Sequence, residues 1–292
     1  MSAHPFKRLI PAGCQKFIPI LGLVVILSGQ TFGFPPSPYY TLYGIVRDQV
    51  GQTVSAEGAE VILYKGSEEI ARTPIHSSGR LDQNYELNIR LDQNRSGLPA
   101  YSEKALAVQG SFNLAVEING TLFYPIETSG NLTAGNGGER VQMDLNLGED
   151  SDGDGLPDVW EQWQLYQAGY HPDEDGNWPI ALIDKLGDFD KDGQSNWLEY
   201  VAGTFAGDAT EYFDLKIKEK ADERVRFAFY AISGKTYTIE RTTDMKVWER
   251  VAFAIGDAGS GAEVWRAEDV AIVSAYVDPE GEDRTLYRLT VR

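Results

Sequence analysis

The sequence predicts a mainly β protein: an N-terminal β-sandwich and a small C-terminal β-domain, joined by a short α-helical connector with two loop–helix repeats. Three observations predict it. Short runs of alternating apolar and polar residues, split by turn residues, fill 39–147. The same pattern returns from Tyr212 to the end of the sequence, with strands expected at 213–219, 225–232, 235–242, 247–255 and 284–291. Between the two, 149–205 is rich in Asp, Gly and Trp, and helical spacing appears there for the first time. The expected division is therefore 1–33, 34–148, 149–205 and 206–292.

Residues 1–33 read as an export signal. Lys7, Arg8 and Lys16 form a positive region, the 11 residues Phe17 to Leu27 are apolar, and small residues follow up to a cleavage site after Gly33. Eleven apolar residues are too few to span a bilayer comfortably, so cleavage is expected over the alternative of an uncleaved N-terminal membrane anchor, and the membrane enters only through this segment. Its loss takes the net charge from −18 to −21. The single cysteine, Cys14, would leave with it, which excludes disulfides, thiol catalysis and Cys-based metal sites in the mature chain. The acidic balance makes nucleic acid an unsuitable partner, because phosphate binding needs a basic patch. A secreted or cell-surface location is expected.

In 34–148, the proline-rich FPPSP (34–38) forms a stiff spacer. Strands are expected at 39–46, 58–64, 85–91, 111–118, 121–127 and 141–147. Asn119–Gly120, between the fourth and fifth, is a strong type I′ hairpin signal. Val141, Met143, Leu145 and Leu147 share one face of the last. Many short strands with frequent turns favour a sandwich. The stretch YGIVRDQVGQTVSAEGAEVILY (43–64), with G-x-V-x-D, a glycine turn and G-A-x-V in succession, resembles the carboxypeptidase regulatory-like, transthyretin-like modules. That resemblance also implies a sandwich. The LDQN echo at 81–84 and 91–94 reads as two turn-rich strand ends.

The central segment carries the chemistry. DSDGDGLPDVWE (150–161) and DFDKDGQSNWLE (188–199) begin 38 residues apart and share one spacing. Asp150, Asp152 and Asp154 occupy positions 1, 3 and 5 of the first loop, with Asp158 at position 9 and Glu161 at position 12. Asp188, Asp190, Asp192, Asn196 and Glu199 do the same in the second, and Leu156 and Gln194 supply position 7 through their carbonyls. Calcium takes about six to eight oxygens at about 2.3–2.6 Å. Alternate residues of a tightly curled loop converge on such an ion, and Gly155 or Gly193 at position 6 permits the turn that returns the later ligands. Glutamate on the first turn of the following helix closes the shell with both oxygens. Two calcium ions are expected.

Helices should follow each loop. After Pro157, Val159, Trp163 and Tyr166 fall on one face and Gly169 stops the helix. The second is expected from about Ser195 to Gly203, with Trp197, Leu198 and Val201 inward. The two loops resemble the duplicated calcium repeats of thrombospondin type 3-like and dockerin-like modules. The residues concerned are DSDGDGLPDVWE and GDFDKDGQSNWLEYVAGT, and the first loop follows a strand instead of an entering helix. The order of signal, β-domain, paired loops and a β-tail with GKTYTIERTTDMKVW (234–248) is similar to exported multidomain proteins of environmental bacteria. Glutamate at the last ligand position departs from the dockerin pattern, so that resemblance does not imply a cohesin partner. DEDGN (173–177) lacks a later glutamate and reads as a turn.

No catalytic signature accompanies these loops. His4 lies in the signal, while His76 and His171 sit in turn-like contexts without G-x-S-x-G or H-E-x-x-H patterns. Phosphate-loop and dinucleotide motifs are absent from the sequence. Asn94, Asn119 and Asn131 stand in N-x-S/T sequons, which matter only in a glycosylating secretory system. Trp160, Trp163, Trp178 and Trp197 are expected to form the small core of the connector, and Trp248 and Trp265 are the freer candidates for stacking on sugar. The expected function is a non-enzymatic, calcium-binding structural or adhesive protein with a cell-surface protein or polysaccharide as partner. The competing expectation is a carbohydrate-active enzyme or its carbohydrate-binding accessory.

Overall fold

The computed structural model describes residues 37–76, 82–92, 102–130, 132–221, 224–256, 261–278 and 284–292. Residues 1–33, read above as an export signal and holding Cys14, and the sequons at Asn94 and Asn131 lie outside them. The chain is mainly β, with several sheets and, among the described residues, two α-helices. Neither helix is long and apolar enough to cross a membrane.

The strands expected in the first half form and build two main sheets, with two differences: 121–127 is extended only over Thr121–Phe123 and turns into a 3-10 helix at Ile126–Ser129, and 141–147 is split into Arg140–Gln142 and Leu145–Asn146. Tyr40–Gly44 lies between Arg140–Gln142, parallel to it, and Tyr85–Ile89, antiparallel to it. A five-stranded sheet places Glu60–Lys65 between Glu68–Pro74 and Ser111–Ile118; Leu132–Thr133 and Thr121–Phe123 add to the last. Asn119 and Gly120 have φ of 52° and 78°, and Ile118 pairs with Thr121 across them. Two successive positive φ values are what a type I′ hairpin requires. Alternation places Leu42, Val61, Leu63, Leu87, Leu114 and Val116 in one buried cluster. Val141, Met143, Leu145 and Leu147 join it from the strand expected there. Glu68–Pro74 was not expected as a strand: its sequence EEIARTP buries only Ile70, and its Arg72 pairs with Glu60 and Glu69 at the surface.

The G-x-V-x-D signature has a physical explanation at each position. A side chain at Gly44 would put its first carbon 2.1 Å from the Met143 carbonyl oxygen, so only glycine lets the two backbones meet. Val46 is fully buried, and Asp48 closes the following turn by accepting from Val50 and Gln52 amides at 3.0 and 2.8 Å.

The C-terminal half forms two four-stranded sheets. One runs Lys216–Ala221, Arg224–Ala231, Ala271–Val277 and Phe253–Ile255. In the other, Thr236–Thr242 pairs with Glu249–Val251, Trp265–Arg266 and Leu286–Val291. Phe227, Phe229, Tyr237, Ile239, Phe253, Ala275 and Val277 are buried together. Ala271–Val277, absent from the expected strands, is an interior member of its sheet although Ile272 is 77% exposed.

The helices, α1 (Asp158–Gln167) and α2 (Asn196–Ala202), pack on a third small cluster of Leu156, Trp160, Leu165, Ile183, Tyr200 and Ala206. Their inward faces differ from the expected ones. In α1 the buried residues are Asp158, Trp160, Glu161, Gln164 and Leu165, while Val159, Trp163 and Tyr166 face outward. In α2 the deepest are Asn196, Glu199, Tyr200 and Ala202; Trp197 and Val201 pack against the cluster from its rim. The apolar stripe misleads because each helix turns its glutamate inward, toward the loop before it. Helix α2 has the expected bounds: the Ser195 hydroxyl caps its start by accepting from the Leu198 amide, and Gly203 ends it at φ 84°.

Candidate metal centre

The two acidic loops have the same internal hydrogen bonds. Asp150 accepts from the amides of Gly153 and Gly155 at 2.7 and 3.0 Å. Asp188 accepts from Lys191 and Gly193 at 2.7 and 2.9 Å. Asp154 takes the Leu156 amide and Asp192 takes the Gln194 amide, each at 2.7 Å. The fourth and sixth positions are left-handed in both loops: Gly153 and Gly155 at φ 80° and 93°, Lys191 and Gly193 at 69° and 98°. A repeated backbone path of this kind turns successive odd-numbered side chains toward one point.

One carboxylate oxygen from each of Asp150, Asp152 and Asp154 lies within 4.8 Å of the others, and the same holds for Asp188, Asp190 and Asp192. The ninth positions make hydrogen bonds across their loops. Asp158 accepts from the Ser151 amide at 2.7 Å and hydroxyl at 2.5 Å. Asn196 accepts from the Phe189 amide at 3.1 Å and donates to the Asp184 carbonyl at 2.6 Å. Both therefore tie the end of the loop to its beginning. At the seventh positions, Leu156 is fully buried, and the Gln194 side chain exchanges hydrogen bonds with the Phe213 backbone at 2.9 and 3.0 Å.

The twelfth positions settle what the arrangement can do chemically. Glu161 and Glu199 have no exposed surface, and neither carboxylate accepts a hydrogen bond from the described residues. One oxygen each of Asp190 and Asp192 is likewise buried and unpartnered. Burial, reinforced by the Asp152, Asp154, Asp158 and Asp150 charges, pushes the Glu161 carboxyl up to about 9. Burial with Asp190, Asp192 and Asp188 pushes Glu199 up to about 8. A buried ion without a partner is costly. Oxygens of this number and hardness suit a divalent cation taking oxygen ligands.

DEDGN closes on itself as expected of a turn: Asp173 accepts from the amides of Asp175 and Asn177 at 2.9 and 2.8 Å. Of the tryptophans, Trp160 is buried and Trp178 and Trp197 flank it, but Trp163 is 39% exposed and stacks on Phe205. Trp265 packs against Phe229 and Tyr237, and the Arg288 guanidinium covers Trp248 at 4.2 Å. His76 and His171 are exposed.

Sequence reasoning missed two groups that hold the loops in place. Lys185, the single Lys or Arg between Arg140 and Lys191, gives its amide to Asp154 at 2.6 Å and lays its ammonium 4.0 Å from the centre of the Trp197 ring. Its isolation in an acidic stretch was the available signal. Tyr200, next to Glu199, donates to the Asp48 carbonyl at 3.0 Å and lies 3.4 Å from the Asn146 amide oxygen, so α2 is anchored on the first β region. Asn146 is in turn clasped by the half-buried Glu127. Comparison with protein-family models, curated proteins and solved structures returned no match.

Proposed function

We propose that 150–161 and 188–199 are two calcium sites, and that the protein is an exported, non-catalytic structural or adhesive element in which calcium stiffens a helical connector between two β-domains. The observation that carries this reading is the pair of buried carboxylates, Glu161 and Glu199, left without hydrogen bonds at matching ends of matching loops. Bound calcium would be held by the Asp triads and these glutamates, with the Leu156 and Gln194 carbonyls and a water-linked ninth position completing the shell. A hard dication in each loop neutralises the crowded carboxylates and removes the cost of burying them.

The connector reading is supported by where the anchors fall. Tyr200 and Lys235 grip the same turn, Asp48 to Gly51, one from α2 and the other from the C-terminal region. The first region is read as a β-sandwich because its three- and five-stranded sheets contribute to one core. Its partner at the cell surface would be a protein or polysaccharide.

The test is calorimetric titration of the chain with calcium, alongside Asp154→Ala and Asp192→Ala. Two sites are expected in the parent and one in each variant. At a hundredfold excess over the dissociation constant each site adds about 2.7 kcal/mol of stability. Titration without heat at millimolar calcium, together with an unchanged melting temperature, would overturn the reading.

A further inference from the structure

The two loops share a hydrogen-bond pattern but differ in what stands beside them. In loop 1 the second Asp154 oxygen accepts from the Lys185 amide at 2.6 Å. The Lys185 ammonium lies 3.3 Å from the Gly155 carbonyl oxygen. A side-chain carbon added at Gly155 would sit 2.7 Å from that ammonium nitrogen, whereas one added at Gly193, the matching position, would meet nothing within 4 Å. In loop 2 the corresponding Asp192 oxygen is buried and unpartnered, as is one oxygen of Asp190. Lys191, the basic residue within loop 2, is exposed to solvent, where its charge is screened.

We infer that the paired sites are unequal: loop 2 is the strong cation site and fills first, while loop 1 is a weak site held down by Lys185. This rests on the calcium reading above and adds an order of filling. Loop 1 has the larger formal charge, five carboxylates against four and an amide. Lys185 offsets that excess: it sets one positive charge against the loop and occupies an oxygen that its counterpart keeps free. The same residue ties the loops together, since its carbonyl accepts from the Trp197 amide at 3.1 Å, two residues before Glu199. Seating a cation on Glu199 fixes the start of α2 and so the segment that presents Lys185 to loop 1.

Calcium calorimetry on the parent, Glu161→Gln, Glu199→Gln and Lys185→Met separates the possibilities. The parent should show two binding events at least about tenfold apart, a factor equal to about 1.4 kcal/mol. Glu161→Gln should keep the tight event within about threefold, and Glu199→Gln should keep only an event weaker than the parent's weak one. Lys185→Met retains an apolar stem over Trp197 and removes the ammonium; it should tighten the weak event severalfold with the tight one unchanged. Survival of the tight event in Glu199→Gln, or two equal and independent events in the parent, overturns the order of filling and leaves the calcium reading standing. Absence of any event in the parent overturns both.

Discussion

The Lys235 ammonium nitrogen lies 2.6 Å from the Gly51 carbonyl oxygen, and both residues are buried. This bond ties the last β region to the turn that Tyr200 also holds. Burial, with the Arg47 charge adding to it and Asp48 opposing it, draws the lysine down to about 7 from its ordinary 10.5. Between those values the folded chain holds less of this proton than the unfolded chain, so this group's contribution makes stability rise with pH from about 7 to about 10.5. Comparison of Lys235→Met with the parent by urea unfolding at pH 7, 8.5 and 10 should show that rise vanish in the variant. Both Lys235→Met and Lys235→Ala should lose about 1–3 kcal/mol at pH 7 from the orphaned Gly51 carbonyl, and the alanine variant more, because it also empties the space of the buried stem. Parallel pH slopes in Lys235→Met and parent would count against this assignment.

The turn itself discriminates between two glycines. Gly51 at φ 80° has the Tyr200 carbonyl oxygen 2.5 Å from where a side-chain carbon would stand, while Gly58 at φ 75° has nothing within 4 Å. Gly58→Ala should cost about 1–2 kcal/mol for the left-handed backbone alone. Gly51→Ala should cost about 3 kcal/mol or more, because the overlap is with backbone that cannot rotate away. Equal denaturation midpoints for the two variants would contradict the close approach of α2 to the turn.

Removing the charge of Glu161 or Glu199 should have opposite effects with and without metal. In a chelator, Glu161→Gln and Glu199→Gln should melt as high as the parent or higher, by about 1 kcal/mol, since an unpartnered buried carboxylate is gone. In saturating calcium each should fall below the parent by up to about 2.7 kcal/mol. Thermal melts in both conditions read this crossing. A variant that is destabilised equally in both would point to a purely packing role.

Protons and calcium should compete. The two glutamates are raised from 4.5 to about 9 and about 8 by burial and neighbouring aspartates. The metal-free folded chain therefore keeps protons that the unfolded chain releases, and its stability declines as pH rises from about 4.5 through about 9. Calcium needs the ionised form, so apparent affinity should climb over the same window and binding near pH 7 should release protons. Calorimetry in buffers of different ionisation enthalpy measures that release. Buffer-independent heats would argue against it.

The acidic loops were legible because one spacing and one set of turn-forming residues recur within twelve consecutive positions and give both the same internal hydrogen bonds, and the Asn119–Gly120 hairpin was legible because its φ values demand those residues. The helix faces were not. Periodicity assigned Val159, Trp163 and Tyr166 to the interior, but the helix turns Glu161 inward toward the acidic loop before it, and Trp160 and Leu165 are buried with it. The strand Ala271–Val277 was missed although it holds Ala275 and Val277 in the core. Lys235 and Gly51 meet across 184 positions, and nothing local in either sequence neighbourhood announces the other.

That separation also has a meaning in time. Contacts distant along the chain form late, because the intervening loop must close before they return any energy. The Asp48–Gly51 turn is complete locally as soon as Asp48 accepts from Val50 and Gln52. Its carbonyl at Gly51 then waits, wet, for a lysine that is synthesised long afterwards. With the Tyr200 bond to Asp48, the Lys235 bond to Gly51 belongs to the non-local contacts whose loop-closure entropy slows the joining of early and late chain.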